Sequence, residues 1–271
     1  PQAVWLQQRG LRPGEGIEPV EDLDPLELDG LRRYQLLDQE LDRHPLDGST
    51  PDWLAAHAGR GVLPAGSGAA LEQRQLAERW QALAHQLKGL GECRRESHSL
   101  GGRSRPLLFA GDVQVVVLAG QLRSAGVMQG WLQHLLLCAA DAAPAGGSAL
   151  VGLSTRVAGA AVHLRWRPLL ASEAQPLLEK LQAMAAAGHE RCWPVPPKSG
   201  WQLVWKEHNK AGSGLAGFTN QWLDERETPV MQLCFGVDAE PDRLLNTPGF
   251  SEAISSLYGP ILQHHQPATR R

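Results

Sequence analysis

Cysteine is scarce: four residues among 271, Cys93, Cys138, Cys192 and Cys234, with no C-x-x-C pair. That spacing points to neither a zinc ribbon nor a disulfide framework, so reduced thiols are expected. Excess positive charge is missing too. The 26 Lys and Arg against 29 Asp and Glu give a formal net charge of -3 and a pI near 6.4. This argues against a domain that holds nucleic acid through a broadly basic surface, but leaves room for a local basic groove. No apolar run approaches the roughly 20 residues of a membrane-spanning helix, and no charged-then-apolar leader is recognisable. A cytoplasmic protein with no membrane contact is therefore expected. The chain opens at Pro1 without an initiator Met, which suggests a portion of a longer polypeptide.

What is present centres on Val113 to Ala142. Val113, Val115, Val116, Val117 and Leu118 put apolar side chains on both alternating faces, as a strand covered on both sides requires. Met128, Trp131, Leu132, Leu135 and Ala139 then recur at spacings of three and four, the stripe of a helix packed on a sheet. The central strand has no carboxylate. A metal-dependent nuclease of the restriction-endonuclease-like type needs two carboxylates on neighbouring strands for Mg²⁺ and a Lys beside the attacking water. Such a fold could not carry out that chemistry with Val, Val, Leu and Ala in those places.

The flanking sequence reads as mixed α/β. Leu31, Tyr34, Leu36, Leu37 and Leu41 predict a helix after an acidic run at Glu21, Asp22, Asp24, Glu27 and Asp29 that reads as a solvated linker. Thr50 with Pro51 predicts the start of a short helix around Trp53 to His57, and Ala69 to Lys88 an amphipathic one. Two strands with a glycine turn are expected between Gly89 and Gly111, and Arg94, Arg95, Arg103 and Arg105 make this the most basic window. Strands follow at Leu150 to Leu153 and Ala161 to Trp166, with a turn at 155–159 between them. A helix capped by Ser172 is expected to run to Ala187. Beyond it lie a rigid Cys192–Trp201 connector, further short helices and a frayed end from His264.

Rival chemical sites are weak. Asp112 follows Gly111 between apolar runs and reads first as a turn. Glu179 and Lys180 read as a solvated helix face, and His134 as a packing residue because no second ligand is spaced with it. His264 and His265 have no spaced partner either. Lys198-Ser199 lacks the Gly-x-x-x-x-Gly of a phosphate loop, although a helix start with a Lys could touch a DNA phosphate. The nine tryptophans read mainly as core or interface anchors, with one or two able to stack on single-stranded bases.

Several unusual segments occur in order: LQQRGL (Leu6 to Leu11), LDGLRRYQL (Leu28 to Leu36), LPAG (Leu63 to Gly66), MQGWLQHLLLCAA (Met128 to Ala140) and PPKSGW (Pro196 to Trp201). Together they resemble the C-terminal region of the RecC family, the gamma subunits of exodeoxyribonuclease V. The resemblance implies a catalytically degenerate restriction-endonuclease-like core, a central mixed sheet flanked by helices, with a helical N-terminal segment. It divides the chain into a linker and helical segment at 1–90 and a nuclease-like α/β domain at 91–271. The implied role is non-catalytic: docking RecD and helping to split and route DNA strands inside the ATP-dependent RecBCD helicase-nuclease. RecB, RecD and DNA are then the partners, with no cofactor and no small-molecule substrate. Carried across, the first metal-binding Asp falls near Gly102–Arg105 and the D-x-K strand on Val116–Ala119, so an Arg stands where Mg²⁺ would sit. Candidate DNA or partner contacts are Arg94, Arg95, Arg103, Arg105 and Lys198. Two other classes stay open: an active metal-dependent nuclease whose ligands lie elsewhere, and an interaction module that never touches DNA.

Overall fold

The computed structural model describes residues 6, 8–11, 27–44, 46, 49–154, 160–191 and 193–267. Trp5, most of the acidic run, the turn at 155–159, Cys192 and the last four residues of the frayed end lie outside the described residues. The chain divides into two compact units, one of residues 18–122, 136–168 and 266–271, the other of residues 1–17, 123–135 and 169–265.

The first unit is built on a sheet. Helix α1 (Gly30–Arg43) starts where the Asp29 carboxylate accepts the Arg32 amide at 2.7 Å, and it buries Leu36, Leu37 and Leu41. The short α2 (Trp53–Ala56) is capped by Asp52, whose carboxylate accepts the Ala55 amide at 3.1 Å. This corrects the expected start at Thr50-Pro51: a carboxylate next to the helix outcompetes the hydroxyl two residues upstream. Helix α3 (Ser67–Lys88) encloses Leu76, Trp80, Leu83 and Leu87 completely.

The strands follow as β1 (Cys93–Leu100), β2 (Arg103–Ala110), β3 (Val113–Gln121), β4 (Ser148–Leu153) and β5 (Ala161–Trp166), with helix α4 (Ser124–Ala139) between β3 and β4. A two-residue β6 (His265–Gln266) completes a six-stranded mixed sheet of order β1-β2-β3-β4-β5-β6. Among β1 to β5 only β3 and β4 run parallel. Parallel neighbours need a crossover connection, and α4 supplies it.

Alternation along β3 and β4 decides which side chains meet which helices. Val113, Val115, Ala119, Ala149 and Val151 join the α1 and α3 leucines and Trp80 in one core. Leu100, Leu107 and Phe109 form a second cluster with Leu137. The sheet is therefore apolar on both faces, which accounts for the unbroken valine run in β3. Gly147 feeds β4 at φ +74°, where a Cβ would also collide with the Trp166 carbonyl. Only glycine fits that approach.

The second unit is helical apart from its share of β6, with α5 (Ala171–Ala187), α6 (Pro197–Asn209), α7 (Gly214–Glu225), α8 (Pro229–Phe235), α9 (Pro241–Leu245) and α10 (Phe250–Gln263). Ser172 lies inside α5 rather than capping it. The Glu173 carboxylate instead reaches back to the Leu170 amide at 2.9 Å, as the second half of a capping box does. At the start of α6, buried Glu225 of α7 accepts the Lys198 amide at 2.9 Å, the Ser199 amide at 2.6 Å and the Ser199 hydroxyl. Phe218 meets Phe250 edge-on at 5.5 Å, and Trp222 donates to the Ala239 carbonyl at 2.6 Å.

Candidate nucleic-acid interface

Strands β1 and β2 form a ribbon closed by Gly101-Gly102, both at positive φ (+56° and +77°). That is the two-residue primed turn whose twist matches paired strands. All eight β1 residues pair with β2, from Cys93↔Ala110 to Leu100↔Arg103. β2 pairs with β3 only over Leu108–Ala110. Pro106, which has no amide to donate, lies just beyond that pairing. The distal half of the ribbon is thus two-stranded and exposed along most of its length.

Register sorts the basic residues by face. His98 pairs with Arg105 and Leu100 with Arg103, so alternation puts Arg94, Glu96, His98, Arg103 and Arg105 on one face and Arg95 on the other. Arg95 donates to the Asp42 carbonyl at 3.1 Å and also to the Leu41 carbonyl, closing the C-terminal end of α1. Arg94 holds Glu96 at 2.6 Å, donates to the Gly111 carbonyl, and lies over the Phe109 ring at 5.1 Å. That guanidinium, with a lesser contribution from His98, keeps the Glu96 carboxyl below its ordinary range. Arg103 and Arg105 are exposed, and neither guanidinium makes a hydrogen bond or ion pair among the described residues. The ribbon tip therefore presents two free guanidinium forks. The pairing of Glu96 with Arg94 and His98 was missed in the sequence, although the period of two in CRRESHSL places them on one face.

Neither β2 nor β3 carries an Asp or Glu. Gln114 is fully buried on β3, and neither of its amide atoms has a partner among the described residues. Among the described residues no three His, Cys, Asp or Glu side chains come together as a metal site. Asp112 occupies the β2–β3 turn, its backbone carbonyl accepting the Gly146 amide at 3.0 Å. Glu179 and Lys180 are exposed on α5. Four of the five candidate residues share one ribbon, and Lys198 belongs to the helical unit. Its side chain is exposed, but the amides at its helix start are filled by Glu225, which removes the vacancy an incoming phosphate would use.

The described tryptophans are internal. Trp53, Trp80, Trp131, Trp166 and Trp222 are at most 1% exposed. Trp201 is buried, and Trp193 and Trp205 are half-buried. Within the helical unit, Trp131 packs its ring beside His134 at 5.3 Å and stacks on His264 at 5.9 Å. His134 is fully buried. The exposed large apolar side chains are instead mainly leucines, such as Leu31, Leu71, Leu170 and Leu215.

A family model for the RecC C-terminal domain matches residues 1–208. The chain belongs to the RecC C-terminal domain family. The match takes in the whole β1–β2 ribbon and ends one residue short of the end of α6. Membership implies a role in the RecBCD complex, exodeoxyribonuclease V, and so in DNA repair and recombination. No curated protein sequence matches the chain. Among the described residues no helix of this RecC domain is long and apolar enough to cross a membrane.

Proposed function

We propose that this RecC C-terminal domain is a non-catalytic, cytoplasmic module of RecBCD that guides DNA strands along its β1–β2 ribbon while docking on RecD. The single observation that carries the reading is the pair of unpartnered arginines, Arg103 and Arg105, at the tip of a ribbon in a sheet whose β2 and β3 strands have no carboxylate. Free guanidiniums suit phosphate oxygens because their planar fork can donate two hydrogen bonds at once. Mg²⁺-dependent cleavage needs the opposite arrangement, paired carboxylates on neighbouring strands. A degenerate restriction-endonuclease-like core is the fold reading that goes with this. It is supported by three antiparallel strands, a helical crossover and a parallel fourth strand, which sets β2 and β3 side by side where the lost ligands would have stood. Arg94 borders the proposed DNA path, and Arg95 supports the ribbon from behind. Lys198 is a separate contact for DNA or partner, made through its side chain alone. Docking on RecD and RecB draws on exposed leucines rather than tryptophans.

The test is an Arg103→Gln/Arg105→Gln double variant reconstituted with RecB and RecD. The complex should assemble as the wild type does, while affinity for forked DNA falls and its dependence on log salt becomes shallower by about 1–2, as for two lost phosphate contacts. Unchanged affinity and salt slope would remove the ribbon from the DNA path.

A further inference from the structure

A polar cavity of about 430 Å³ lies in the sheet unit beside α1 and shares no residue with the ribbon. Arg32, Gln35 and Gln39 line one side of it. Their spacing of three and four residues keeps them on one stripe of the helix. The other side is made by the segment after α2, with His57, Arg60 and Val62. Arg60 sits between Gly59 and Gly61, at φ +70° and +63°, and a Cβ on either glycine would meet nothing within 4 Å. Backbone shape, not crowding, therefore calls for both glycines, and the bend they make carries Arg60 onto the cavity wall.

The charges at this cavity are underused. The Arg60 amide donates to the His57 carbonyl at 3.1 Å, but its guanidinium makes no hydrogen bond or ion pair among the described residues. Among the described residues the Arg32 guanidinium meets only exposed Asp29, at 3.8 Å. Among the described residues no carboxylate lines the cavity. His57 is 4% exposed, and neither ring nitrogen has a partner among the described residues. Burial lowers its pKa, with Arg60 and Arg43 acting in the same direction and Glu40 opposing them, so the ring is a neutral wall. Leu36 and Val62 add apolar surface.

We infer that this cavity binds one nucleoside phosphate. Its phosphate sits between Arg32 and Arg60, and its base edge faces the carboxamides of Gln35 and Gln39. Paired guanidinium forks select a phosphate oxyanion. Carboxamides offer both donors and acceptors, as a base edge requires. The volume suits a nucleotide better than a bare ion. The nucleotide is either free or the 5′-phosphorylated end of a strand, and the site is independent of the ribbon.

The experiment follows the side-chain resonances of Arg60 Nε–H and His57 Cε1–H while the protein is titrated separately with thymidine 5′-monophosphate, thymidine, inorganic phosphate and 5′-phosphorylated or 5′-hydroxyl hexathymidylate. Thymidine monophosphate or the phosphorylated hexamer should shift both resonances, the first marking a free nucleotide and the second a strand end. Thymidine and phosphate alone should bind more weakly. Arg60→Gln and Arg32→Gln should each weaken binding about tenfold, the loss of one charged hydrogen bond. Arg103→Gln/Arg105→Gln should leave it unchanged, which separates this site from the ribbon. The inference is overturned if no nucleotide shifts these resonances, if both single variants bind as the wild type does, or if inorganic phosphate binds as tightly as the nucleotides.

Discussion

Replacing Glu72 by Ala should destabilise the sheet unit more than any surface change. Glu72 is fully buried on α3, where its carboxylate accepts the Leu28 amide at 2.9 Å and the Arg33 guanidinium at 2.7 and 2.6 Å. The Arg33 side chain is only 13% exposed, and Leu28 is buried. Removing the carboxylate leaves a buried amide without its acceptor and a nearly buried cation with only the exposed Glu27, at 3.3 Å, among the described residues. Breaking a buried ion pair by deleting one partner costs about 3–5 kcal/mol when the other charge stays behind uncompensated, and the exposed Glu27 that Arg33 keeps puts this case at the lower end. Glu72→Gln should cost less, since its carbonyl can still accept one hydrogen bond. Urea unfolding followed by tryptophan fluorescence is the assay, with Trp53 and Trp80 stacked edge-on at 6.0 Å in the adjoining core as reporters. The Arg33 hydrogen bond is the main reason the Glu72 carboxyl is held below the usual carboxylate range, ahead of the Leu28 amide. A lowered carboxyl pKa stabilises the fold above the unfolded value of about 4.3, and that stabilisation is lost as pH falls below it. The wild type should therefore lose stability on acidification while Glu72→Ala loses less. A Glu72→Ala protein within about 0.5 kcal/mol of wild type, or with an unchanged acid limb, would refute the reasoning.

Three further outcomes follow from buried groups. Trp131→Ala should cost about 3–5 kcal/mol, because a fully enclosed ring leaves a cavity; an unchanged thermal melt would contradict the packing. Gly147→Ala should destabilise by more than about 1 kcal/mol, since it combines a positive φ with a collision, whereas Gly101→Ala, with open space around it, should cost less in the same melt. Burial first, then Glu225, pushes the Tyr258 phenol well above its usual range, and burial likewise raises Tyr34. In an ultraviolet titration of Tyr34→Phe the remaining phenol should ionise above about pH 10, and stability should fall as pH rises past that value. Ionisation at or below pH 10 would show that Tyr258 is solvated.

Local signals in the sequence account for much of the fold. The valine run of β3 and the three-and-four spacing of α4 could be read because a doubly covered strand and a packed helix each impose a period on their residues. Gly101-Gly102 marked the ribbon turn because both positions need positive φ. Contacts between distant residues could not be read this way. Arg95 looked like its basic neighbours until the register turned it toward the α1 carbonyls 53 and 54 residues away. Glu225 capping α6 and Glu72 reaching back to Leu28 are also long-range pairings with no local pattern. The Thr50 cap failed because the Asp52 carboxylate took the Ala55 amide instead, and the Ser172 cap because the helix already begins at Ala171, with the Glu173 carboxylate accepting the Leu170 amide. The candidate arginines were visible as a basic window, but which of them were free depended on pairing across the ribbon.

The central claim, a RecC domain without its own nuclease chemistry, is tested most directly by incubating the purified chain with single- and double-stranded DNA in Mg²⁺ or Mn²⁺. The proposal predicts that both substrates stay intact over times in which a RecB-containing complex degrades them. Cleavage by the isolated chain that disappears in Asp112→Asn, or in any other single carboxylate variant, would contradict it and establish an active metal-dependent nuclease.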